Sequence, residues 1–209
     1  MTEKENLTVN IILPNQTVIK KKAGRSLLEI SEEVAEYYPT AIVAAIVNKK
    51  MKDLTHIPPD SAEVEFLDLG TTEGARIYQR SLTFLLIYAT KKLFPEARID
   101  VEHSLGKGLY CEIKKTKALS AEDVAAIEEK MRQIVQADLP IEKKKIPLQQ
   151  AIDIFNKEGF EDKVRLYKRC PSAELTVYTL GDLTDSLHGY MVTRTGVLQR
   201  LPYSFGLPV

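Results

Sequence analysis

Residues 73–93 read EGARIYQRSLTFLLIYATKKL, and this run decides how the rest of the chain is parsed. Ile77, Leu82, Leu85, Leu86, Ala89 and Leu93 fall at mostly three- and four-residue steps, the spacing of one apolar helix face. Pro95, which has no backbone N–H to give, supplies the stop. The spacing therefore predicts a long helix over 73–93. The Thr- and Gly-containing stretch 68–74 just before it has the composition of a linker, so the helix opens a second unit.

Upstream of the linker, Leu7, Val9 and Ile11 alternate with polar residues, Pro14-Asn15 offers turn chemistry, and a return strand starts at 17–19, which together read as a hairpin over 7–22. Ser26 followed by Glu29 has the pattern of a capping box, in which each side chain satisfies an orphan backbone donor. Leu27, Ile30, Val34 and Tyr37 then share one helical face, and Pro39 closes the element. The apolar run 42–47 suits a strand buried on both faces, Asn48-Lys49 a turn into Met51 and Leu54, and 63–69 a last alternating strand. Two strands, a helix and further short strands in this order make a small α+β grasp around one helix.

Downstream, strands are expected at 98–102 and 109–113, joined by the turn Leu105-Gly106-Lys107-Gly108. Ser120 caps a helix whose Val124, Ile127, Met131 and Ile134 repeat at helical steps. Pro147 suits the first turn of another helix, with Leu148, Ile152 and Phe155 inward and Gly159 as its stop. From Val164 onward the reading is short strands and turns, including a strand over 174–179.

Composition narrows the function classes. The 209 residues carry 29 Lys or Arg against 29 Asp or Glu, so any contact with nucleic acid must come from a local patch. Hydrophobic residues at 44% and charged ones at 28% are those of a folded chain, and no apolar run approaches a membrane span. Cys111 and Cys170 are too few for a disulfide framework, and a cytoplasmic setting fits. His56, His103 and His188 are scattered singly, and phosphate-loop, dinucleotide, HExxH and CxxC motifs are all missing, so no metal centre is expected.

The run from Glu73 to Leu86 resembles the start of the editing domain of threonyl-tRNA synthetases, and the unit before it resembles their N-terminal TGS domain, a ubiquitin-like β-grasp. Lys92-Leu93-Phe94-Pro95, the Gly108-Leu109-Tyr110 strand, the helix Glu122-Asp123-Val124 to Met131 and Lys143-Lys144-Lys145 continue the resemblance, which covers roughly residues 6–190. It implies an α+β chain of two domains: a TGS β-grasp over 1–69, and over 73–209 an editing-like α+β domain with an antiparallel sheet and long helices. The family carries HxxxH on the first editing helix and CxxxH later. Here Arg80 and Phe84 stand at the first pair, and Thr184 and His188 at the second. Neither Arg nor Phe transfers protons near neutral pH, so the resemblance implies a degenerate editing pocket of Arg80, Phe84, Thr184 and His188 with no catalytic residue.

A TGS domain joined to an editing-like domain without its histidines is similar to the N-terminal half of bacterial uridine-kinase-like nucleoside kinases. Residues 177–182, 191–198 and 203–209 carry that resemblance. It implies that this chain is a non-catalytic recognition or regulatory region, itself without a cofactor. A P-loop kinase domain using ATP and Mg2+ would follow Val209 in the same chain as its partner. Two other readings stand beside it. One is an aminoacyl-tRNA deacylase in which Asp182 and His188 position groups, and the other is a protein-interaction module using exposed sheet edges. Candidate contacts to a small ligand or tRNA are Arg80, His103, Lys107, Tyr110, Asp182 and His188. Lys20, Lys21, Lys22 and Arg25 are candidate RNA contacts, although no aromatic platform is interleaved with them.

Overall fold

The computed structural model describes residues 7–105 and 108–199, with the side chains of 101–110 left aside. The architecture is α+β, with one mixed five-stranded sheet, one antiparallel three-stranded sheet and one two-stranded ribbon. The first sheet runs β2-β1-β5-β3-β4, built from β1 (Thr8–Ile12), β2 (Val18–Lys22), β3 (Ile42–Val47), β4 (Lys50–Lys52) and β5 (Glu63–Asp68). β1 pairs with β5 in parallel, and every other pairing in the sheet is antiparallel. Helix α1 (Leu27–Val34) packs Leu27, Ile30 and Val34 on Val9, Ile11, Val64 and Phe66. Its start is doubly secured. Ser26 and Glu29 form the reciprocal capping box, and the Leu27 and Leu28 N–H groups donate to the His56 and Leu54 carbonyls at 2.8 and 2.7 Å.

Helix α2 (Thr72–Leu93) begins on a Thr71 cap and is buried at every position from Ser81 to Thr90. Such all-round burial exceeds the single stripe that the periodicity predicts, because neighbours close on it from several sides. Val43, Ala44 and Leu67 of the first sheet share its core, as do Ile127, Met131 and Ile134 of α3 (Ala121–Ala137). The ribbon β6 (Arg98–Leu105)/β7 (Gly108–Lys114) follows α2 in the chain. The three-stranded sheet runs β10-β9-β8, from β8 (Ile141–Pro147), β9 (Glu174–Leu180) and β10 (Leu183–Asp185). Between β8 and β9 lie α4 (Leu148–Lys157) and α5 (Glu161–Tyr167), held to β9 by a satellite core of Ala151, Phe155 and Val177.

Three details differ from the sequence reading. Tyr37, expected on the α1 core face, is 47% exposed because the helix tightens into a 3-10 turn over Ala35–Tyr37 and rotates it outward. Tyr38 turns inward instead, edge-on to Phe66 at 6.3 Å. Leu93, expected in the α2 stripe, sits in the last turn at 37% exposure. The segment read as strands from Val164 onward starts instead with a helix, α5, before the β9 strand appears as expected.

Candidate functional site

The segment after β9 runs back along α2, and three close contacts fix its path. Gly181, at φ +58, sits so near Tyr88 that a Cβ would fall 2.2 Å from the phenol oxygen. Gly189 lies against the Arg80 guanidinium, and Ser81 Oγ accepts from the Val192 N–H at 2.9 Å. Ser81 is fully buried and also donates to the Ile77 carbonyl at 2.7 Å, so one hydroxyl satisfies both helix and segment. Asp185 ends β10 and faces inward, only 1% exposed, with Ser186 beside it.

These two residues line a cleft of about 640 Å3. Helix α5 and the turn before it supply Phe160, Lys163 and Arg165, α2 supplies Lys91, and His188 stands exposed at its edge. Lys163 Nζ donates to Asp185 Oδ1 and also reaches the Ser186 carbonyl at 3.3 Å. The Ser186 N–H donates to the same Oδ1 at 2.6 Å, whereas Asp185 Oδ2 and Ser186 Oγ are buried without a hydrogen-bond partner. Burial raises the Asp185 carboxyl above the ordinary range, against the opposing pull of Lys163 and the Ser186 amide. The Phe160 ring carries two ammonium groups, Lys163 at 5.1 Å and Lys91 at 5.6 Å from its centroid. Cations thus converge on a cleft whose inner end holds a buried acceptor.

The four residues expected to form one degenerate pocket take the following places. Arg80 is half-buried, donates from Nη1 to the Tyr190 carbonyl at 2.6 Å, and touches the turn that follows His188. Phe84 is fully buried in the core. Thr184 is half-buried in β10, paired with Thr179. Of these four, His188 lines the cleft and Arg80, Phe84 and Thr184 do not. Asp182 is exposed and pairs with Lys92 at 2.7 Å. Lys107 and the side chains of His103 and Tyr110 lie outside the described residues. In the basic cluster, Lys21 and Arg25 both pair with Glu33, at 3.0 and 2.5 Å, while Lys20 and Lys22 are exposed on β2. Lys163, Asp185, Ser186 and Phe160 escaped the sequence reading. The one signal, for Asp185 alone, was an acidic residue two positions after the inward Leu183 on a short strand.

Among the described residues, no group of three or more His, Cys, Asp or Glu side chains is arranged to hold a metal ion, and no helix is long and apolar enough to cross a membrane. No protein-family model matches the chain. Curated proteins do. It is 28% identical to a threonine–tRNA ligase of Syntrophomonas wolfei over 179 residues, 85% of this chain and 28% of that protein. A threonine–tRNA ligase of Citrifermentans bemidjiense is 28% identical over 191 residues, 91% of this chain and 30% of the ligase. One from Clostridioides difficile is 27% identical over 182 residues, 87% and 28% respectively. The chain thus spans less than a third of the length of these relatives, and the similarity supports a TGS- and editing-like character.

This overturns the nucleoside-kinase reading. The relatives matched over most of the chain are threonine–tRNA ligases, and the expected kinase partner domain, with its ATP and Mg2+, finds no support among them. That reading rested on the missing histidines together with residues 177–182, 191–198 and 203–209.

Proposed function

We propose that the chain acts on aminoacyl-tRNA as an editing-type deacylase, with the 640 Å3 cleft receiving the aminoacyl ester at the tRNA 3′ end. The proposed division is a TGS unit over 1–69 and an editing-like unit over 73–209. The observation that carries the reading is the Lys163–Asp185 pair set inside a cleft edged by His188. Asp185 holds the ammonium in place, and Lys163 polarises the ester carbonyl and stabilises the oxyanion that develops on it. The His188 imidazole takes a proton from water as the water oxygen bonds to the acyl carbon. The acyl carbon–ribose oxygen bond then breaks, and the imidazolium returns the proton to the ribose oxygen. Arg80 and Phe84 take no part in proton transfer, consistent with their places outside the cleft. Lys20 and Lys22, exposed on β2, are proposed contacts to the RNA backbone.

The test is ester hydrolysis. tRNA charged with labelled serine or threonine is incubated with the chain and with Lys163→Met and His188→Gln variants. Release faster than the buffer control, falling about tenfold or more in either variant, supports the reading. Release no faster than the control removes it.

A further inference from the structure

Arg80 holds the backbone just beyond His188, and several other contacts hold the same few residues. Arg80 Nη1 donates to the Tyr190 carbonyl at 2.6 Å, and the Tyr178 hydroxyl donates to the Gly189 carbonyl at 2.8 Å. The Tyr190 hydroxyl reaches across to the Met51 carbonyl of β4 at 2.9 Å. Its ring lies under Lys143 Nζ at 4.3 Å, and Lys143 itself pairs with Asp53 at 2.8 Å. Ser81, the residue of α2 next to Arg80, takes the Val192 N–H on its Oγ. The Gly189 and Tyr190 carbonyls and the Tyr190 ring are therefore tied to α2, to β9 and to the first sheet, while the residue immediately before them is the cleft's histidine.

We propose that Arg80 is a positioning residue: acting through the Gly189–Tyr190 backbone, it sets where His188 stands at the edge of the cleft. A recognition role for its guanidinium is at odds with the geometry, since Nη1 is committed to a protein carbonyl and the group packs on Gly189 and does not line the cleft. A planar fork suits the task better than a point charge. Arg can donate along a fixed direction while its face covers a glycine, which a lysine ammonium cannot do. The inference rests on the deacylase reading for its catalytic consequence, but not for the positioning itself.

The experiment records the ring signals of His188 and His56 by NMR in the wild type, Arg80→Lys and Tyr178→Phe. The His188 signal is assigned by its loss in His188→Gln. Positioning predicts that Arg80→Lys moves the His188 signal by more than its line width and broadens it, while His56, on the loop beside α1, stays in place. Tyr178→Phe, which removes the Gly189 bond and the hydroxyl's backbone hydrogen bond with Met191, should move the same signal less, and it decides the matter if Arg80→Lys fails to fold. In the hydrolysis assay, Arg80→Lys should lower kcat about tenfold with KM little changed. An unmoved His188 signal in folded Arg80→Lys overturns the proposal. A wild type without hydrolytic activity defeats the deacylase reading instead, and leaves the NMR result to decide this one.

Discussion

The guanidinium of Arg80 lies face-on to Gly189: a Cβ on that glycine would fall 2.7 Å from Cζ and 2.8 Å from each terminal nitrogen. Gly189 also has φ +101, a region that side-chain-bearing residues avoid. Gly189→Ala should therefore combine backbone strain with displacement of Arg80, at a cost of about 1–3 kcal/mol. Urea unfolding checks the stability, and hydrolysis should fall further than stability alone explains.

Ser81 is a second point where helix and segment share one group. Ser81→Ala leaves the buried Val192 N–H without an acceptor, which costs about 1–3 kcal/mol, while the helix loses only a supplementary bond to Ile77. Ser81→Cys, with a weak acceptor of similar size, should recover part of the loss in thermal unfolding.

Tyr190 and Lys143 form a joint attachment to the first sheet. Burial works against ionisation of Asp53, but hydrogen bonds from Lys143 and Thr55 outweigh it and hold its carboxyl below the ordinary value. Tyr190→Phe removes the Met51 bond at a cost of about 1 kcal/mol. Because Lys143 also covers the Tyr190 ring, Tyr190→Ala and Lys143→Ala should be non-additive in a double-mutant cycle. Strict additivity would mean that the two anchors act independently.

Asp185 supplies a pH signature. Its carboxyl is raised by burial, so near and below the raised value the native state holds a proton that the unfolded chain has released. The stability contributed by that proton is fully present below the unfolded value of about 4 and is lost as pH rises through the native one. The unfolding free energy of the wild type relative to Asp185→Asn should thus grow as pH is lowered from neutral toward about 4. A difference independent of pH would show that Asp185 titrates normally.

The framework was legible where local chemistry repeats or caps. Ser26 and Glu29 form the box that their spacing implies, Ser120 caps α3 as read, and Asn48 and Lys49 take the positive φ values of a tight turn. The site was legible only in part, because tertiary contacts build it. Helix α5 has seven residues and no buried position. Its identity follows from Phe160 and Tyr167 closing on Phe155, at 6.3 and 5.6 Å between centroids, and no short-range periodicity announces that. Strand β8, with Lys143 to Lys145 exposed, pairs along its full length with β9 and lacks clean alternation. No local pattern marks Lys163, whereas its partner Asp185 is almost wholly buried. Arg80 and Phe84 attract notice in the sequence, and in the structure one clamps a turn and the other fills the core.

The most direct measurement titrates the isotope-labelled chain with an amide-linked seryl-adenosine, an analogue of the aminoacylated 3′ end that water cannot cleave. The account predicts saturable NMR shifts concentrated at Phe160, Lys163, Ser186 and His188, weakened in Lys163→Met. Shifts confined to the Lys20 and Lys22 surface, or none at all, would contradict the assignment of the cleft to an aminoacyl ester.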